Sequence, residues 1–139
     1  MRARLIVPAV AALALAAAGA VTLTTRPPGK QVSTLPARTV TVGAIEVTIE
    51  PTRFDATGAV FRIKLDTHTT DLGMALRGTL EVDGIAWKGG AWTGGAPGGH
   101  HREGEISFHA AGAARGAARL EVTGLERTVV GEWQLAGGA

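Results

Sequence analysis

Beyond residue 38 the chain keeps to a period of two, which admits strands and little else. Ile45, Val47 and Ile49 alternate with Glu46, Thr48 and Glu50, giving an extended segment one apolar and one wet face. Phe61, Ile63 and Leu65 alternate in the same way with Arg62 and Lys64. Leu76, Gly78, Leu80 and Val82 predict a third strand, ended by Asp83-Gly84, a strong hairpin signal. Ile85-Ala86-Trp87 returns from that turn, and a glycine-rich loop follows it. Ile106 and Phe108, then Leu120 and Val122, then Val129, Trp133 and Leu135 mark the remaining strands. Pro51 interrupts the first ladder and predicts a bulge or an edge. Residues 110–119 form the one candidate helix, but Gly112 and Gly116 argue for a loop there. Short strands separated by turns every ~8–12 residues predict an all-β fold, an immunoglobulin-like β-sandwich of about seven strands.

The start of the chain is different in kind. Met1-Arg2-Ala3-Arg4 carries two positive charges, and residues 5–23 are an almost unbroken apolar run ending in small residues at Ala18-Gly19-Ala20. A basic start, an apolar stretch and an A-x-A-like site are the marks of a signal peptide cleaved after Ala20. The same run is long enough to cross roughly 30 Å of hydrocarbon as an uncleaved signal-anchor helix, with Arg2 and Arg4 inside. Both readings put the rest of the chain outside the cytoplasm, either secreted or held at the membrane by its N-terminal segment. Lipid attachment at the signal junction needs a cysteine, and the chain has none. Residues 24–38 hold three of the six prolines and no apolar period, so they read as a linker. The expected organisation is a signal or anchor (1–23), a linker (24–38) and a β domain (39–139).

Export also decides what the charge means. The formal charge of +2 equals the two arginines in residues 1–20; the remainder carries twelve Lys/Arg against twelve Asp/Glu. A nucleic-acid-binding surface needs clustered basic residues in excess, and here Arg and Glu are interspersed, so nucleic acid is excluded as a partner. Without disulfides the fold must rest on its apolar core.

Chemistry-bearing residues gather in two turn-prone segments. Residues 66–72 read DTHTTDL and residues 97–104 read PGGHHREG. Imidazole is the commonest protein metal ligand, and carboxylates complete or orient such sites. Loops after alternate strands collect at one end of a sheet domain. His68, His100 and His101, with Asp66 orienting an imidazole and Asp71 and Arg102 close by, therefore predict a nitrogen-rich site for copper or zinc. The competing expectation is structural. Asp and Thr in 66–70 cap loop amides, Asp–Arg and histidine hydrogen bonds lock the loops, and no metal is involved. His100 and His101 are also adjacent, so in extended chain they point to opposite faces.

Residue types argue against an enzyme, the least favoured of the three readings, because no nucleophile–base pair is visible. The two serines, Ser33 and Ser107, lack a G-x-S-x-G context. The glycines of 89–99 lead into no GKS or GKT. Glu103 and Glu105 alternate on a strand rather than forming an acid–base pair. His109 reads as surface, and Trp87, Trp92 and Trp133 as anchors of the core, with Trp92, beside Gly94-Gly95, the one that an exposed setting would turn to ligand binding.

Taken together, DTHTTDL and GGHHREG resemble a pair of motifs, DTHxxDL and GGHHRxG, found in small exported β-sandwich modules of bacteria and archaea. The resemblance spans about residues 44–135. It implies the sandwich fold and a pairing of the two loops, and it favours a metal or other ligand at His68, His100 and His101.

Overall fold

The structure is a computed structural model that describes residues 35–96 and 98–136. Eight strands run in chain order: β1 (Arg38–Val42), β2 (Ile45–Asp55), β3 (Gly58–Thr67), β4 (Arg77–Val82), β5 (Ile85–Gly94), β6 (His101–His109), β7 (Gly116–Thr123) and β8 (Val129–Leu135). They form one sheet in the order β1-β2-β3-β6-β5-β4-β7-β8, every neighbouring pair antiparallel. The all-β expectation holds, and no helix is present among the described residues. None there is long and apolar enough to cross a membrane. The apolar run of residues 5–23, on which the signal and anchor readings fall, lies outside the described residues.

The architecture corrects the sandwich. Eight strands curl into a nearly closed barrel instead of seven strands in two facing sheets. The physical reason lies in β5, which pairs with β6 along one edge and with β4 along the other. On β5 the register with β4 slips between Trp87 and Ala91 and the register with β6 between Gly89 and Trp92, and in that stretch Gly89 and Gly90 have φ of +135° and +101°. A Cβ at Gly90 would collide with the carbonyl oxygen of Gly78, and one at Gly89 with that of Ser107. The glycine pair lets β5 bend and bring its backbone against both partners, so the two halves join where a sandwich would separate them.

The strand pattern places the core inside the barrel. Val47, Ile49, Phe61, Ile63, Ile106, Leu120 and Val122 are fully buried, as alternate residues of inward-facing strands should be, and Leu72 of the β3–β4 connection is buried with them. Phe61 sits at the centre, with Phe54, Phe108 and Trp133 around it at ring-centroid distances of 5.9, 6.0 and 5.5 Å. Such contacts are worth about 0.5–1.5 kcal/mol beyond area burial. The interior is packed side chain against side chain, a core and not a pore.

Local signals explain the turns. Asp83 and Gly84 have φ of +51° and +77° and form the expected tight hairpin between β4 and β5. The register of β2 on β3 shifts between Pro51 and Arg53, the bulge expected at Pro51. Residues 110–115 are loop, as Gly112 suggested, but residues 116–119, expected in the same loop, are the first half of β7. Two other elements depart from expectation: β1 is an additional strand, and the glycine-rich stretch is β5 itself as far as Gly94.

Side chains close the barrel. Between edge strands β1 and β8, Arg38 donates through Nε and Nη2 to the carbonyl of Glu132 at 3.2 and 3.1 Å. Arg127 Nη2 donates to Thr41 O at 2.8 Å, and Trp133 Nε1 to Pro36 O at 2.7 Å.

Candidate functional site

Because consecutive strands alternate in direction, alternate connections gather at one end. The β1–β2 turn, residues 68–76, residues 95–96 and 98–100, and residues 124–128 form one rim of the barrel. Both histidine segments are therefore on the same rim, and they are hydrogen-bonded to each other through backbone. Thr67 N donates to His100 O (3.0 Å), Leu72 N to Gly99 O (3.1 Å) and Gly98 N to Leu72 O (3.0 Å). Asp71 Oδ1 accepts from Gly99 N at 2.8 Å.

Thr67 ties the base of this lattice. Its position continues the inward series Phe61, Ile63, Leu65, so a polar side chain lands on the apolar face and is buried. Its hydroxyl donates to Ala44 O at 2.8 Å and accepts from the amides of Thr69 and Thr70. A buried hydroxyl with partners on both sides is a structural joint.

Arg102 does the same for the other segment. It lies two and four residues before Gly104 and Ile106, on the same inward face of β6, and is only 8% exposed. Its Nη1 donates to the carbonyls of Leu72 and Met74, and its Nε to Gly95 O at 3.3 Å. The guanidinium lies over the ring of Trp92, 5.0 Å from the centroid, a cation–π contact. One side chain thus holds both loops. The space beside it depends on Gly104, where a Cβ would run into the Trp92 ring. The expected Asp–Arg lock is replaced by a carbonyl lock: among the described residues Arg102 is in no ion pair.

The outer side of the rim carries the histidines. Asp66 and His101 are register partners on β3 and β6, and His101 Nδ1 donates to Asp66 Oδ1. The imidazole is 82% exposed, so the pair adds little to stability. It leaves Nε2 as the second ring nitrogen. His68 and His100 are also exposed. Among the described residues, no three His, Asp or Glu side chains converge closely enough to hold a metal ion. What the structure brings together from the expected set is Asp66 with His101, and Asp71 and Arg102 with the loop backbone. His109 is exposed at the far end of β6.

Thr67 caps the amides of Thr69 and Thr70, as expected of the threonines in 66–70, but sequence reasoning did not place Trp92 against Arg102, nor assign a role to Gly104, nor foresee that Thr67 is buried. A signal for the burial was present: Arg102 and Thr67 are polar residues on positions whose neighbours two and four along are apolar. No protein-family model, curated protein or solved structure matches this chain.

Proposed function

We propose that the chain is an extracytoplasmic module, secreted or membrane-tethered, that works by recognition and not by catalysis, with the rim of residues 66–76, 94–96 and 98–102 as its working surface. The basic and apolar start of the chain supports the location. The observation that carries the rest is Arg102. A cation 8% exposed is invested in holding two exposed loops in one conformation, and ordered polar loops on a rigid scaffold suit binding. The packed interior leaves the outside of the barrel for that role. A photo-cross-linking residue at position 68, compared with one at Lys88 on the opposite end, tests this in producing cells. The rim position should give adducts of one defined mass; equal labelling from both ends contradicts the reading.

The Asp66–His101 pair favours a second reading, a transition metal, copper or zinc, taken up by His101 through Nε2 with His68 or His100. A carboxylate on the other ring nitrogen is the usual way to orient a ligating imidazole. Titration with Cu(II) and Zn(II) should then show binding that His101→Ala abolishes and Asp66→Asn weakens by about 10-fold or more. A titration unchanged in His101→Ala removes this reading.

A further inference from the structure

We propose that Arg102 and Trp92 form a carboxylate-binding subsite on the rim; this rests on the rim being the working surface. The guanidinium has five N–H donors, and the described acceptors lie along its Nε and Nη1 side. Nη2 has no acceptor among the described residues. Nor is it sealed: the fully buried side-chain polar atoms without a partner there are Arg53 Nε and Trp87 Nε1. Among the described residues Nη2 is therefore the one guanidinium nitrogen of Arg102 left without a partner, on a side chain only 8% exposed.

Buried guanidinium without a counter-charge is costly, and carbonyl dipoles offset only part of that cost. The carboxylates of the two segments are engaged elsewhere: Asp66 with His101, Asp71 with Gly99 N at 2.8 Å, and Glu103 with Arg62 Nε at 3.3 Å. An incoming anion would supply the missing charge, and the half-buried Trp92 ring under the guanidinium gives it an apolar wall. The same three carboxylates lie in or beside the two rim segments and lay negative charge around that end of the barrel. A monoanionic carboxylate meets less repulsion from them than a phosphate dianion does.

The test uses the full chain in a neutral sugar-headgroup detergent, titrated with sodium acetate, inorganic phosphate or sodium chloride at matched ionic strength. The side-chain Nε–H signal of Arg102 and the indole N–H signal of Trp92 are followed by NMR. Acetate should shift both signals saturably, phosphate should bind more weakly, and chloride should leave them in place. Arg102→Lys, which keeps the charge but loses the planar fork, should weaken acetate binding by about 10-fold or more, with the rim fold checked by the backbone spectrum. His109→Ala, on the opposite end, should change nothing. An Arg102 signal that ignores acetate, or follows chloride equally, overturns the proposal. Shifts confined to His100 and His101 overturn this subsite yet leave the rim as a binding surface. Tighter binding of phosphate than of acetate overturns the carboxylate assignment.

Discussion

At the scale of single residues, the two polar pairs of the rim differ in what burial makes of them. Arg102 is inside and His101 outside, though they are neighbours in sequence. Arg102→Met leaves three carbonyls without their charged donor, and should cost roughly 2–4 kcal/mol, the size of one or two charged hydrogen bonds. Asp66→Asn, at an exposed pair, should cost less than about 1 kcal/mol. Urea midpoints of the two variants check both, and comparable losses would contradict the assignment of the lock to Arg102. A third residue sets a pH dependence at the other end of the barrel. The Asp55 carboxylate accepts from the Thr57 hydroxyl and from the amides of Thr57 and Gly58 at 2.8 and 3.2 Å. These bonds, the Thr57 hydroxyl first, together with the nearby Arg53 charge hold its pKa below the ordinary value of 3.8 against the opposing effect of burial. A depressed folded pKa means the contribution is complete above that ordinary value and is lost as pH falls through the folded one. Asp55→Asn should therefore be less stable than wild type at pH 6, and the gap should narrow below pH ~4. A gap constant down to pH ~2 would contradict it.

Elements show which parts of the fold were legible. β2, β3 and β4 announce themselves because each buries one face of an alternating pattern, and the hairpin at Asp83-Gly84 follows from residues that tolerate positive φ. β1 is an edge with only Val42 fully buried, so its apolar period is too short to stand out. β5 was hidden for a different reason. From Gly89 to Gly94 it is held by backbone approach, not by side-chain burial, and glycine otherwise argues against a strand. The same period of two serves a sandwich and a barrel, so the corner at Gly89-Gly90, invisible to periodicity, decides between them. For the site, the meeting of the two motif segments was legible, whereas the role of Arg102 was obscured by its charge, which suggested solvent or an Asp partner. Gly104→Ala tests the packing beneath it. The new methyl group meets the Trp92 ring, as overpacking that should cost about 1–3 kcal/mol and raise Trp92 exposure, measured by fluorescence quenching. An unchanged midpoint and unchanged quenching would count against the Arg102–Trp92 stack.

At the scale of the whole molecule, the barrel is a closed core with two unlike regions of closure: a seam between β1 and β8 held by side chains, and a rim laced by backbone and Arg102. The seam bonds of Arg38, Arg127 and Trp133 cover carbonyls that edge strands would otherwise offer to other chains. Arg38→Ala with Arg127→Ala should leave the fold intact and raise its tendency to associate, which sedimentation checks; a monomeric, equally soluble variant would show the seam closed without them. The account depends most on Arg102 ordering the rim independently of the barrel wall. Amide hydrogen exchange of Thr67, Leu72 and Gly98 in wild type and Arg102→Met measures this directly. The account expects those amides to be protected in wild type and to exchange at near-unprotected rates in the variant, while amides of β3 and β7 stay protected. Rim amides that keep their protection in Arg102→Met, or that lose it by the same factor as β3 and β7, would contradict it.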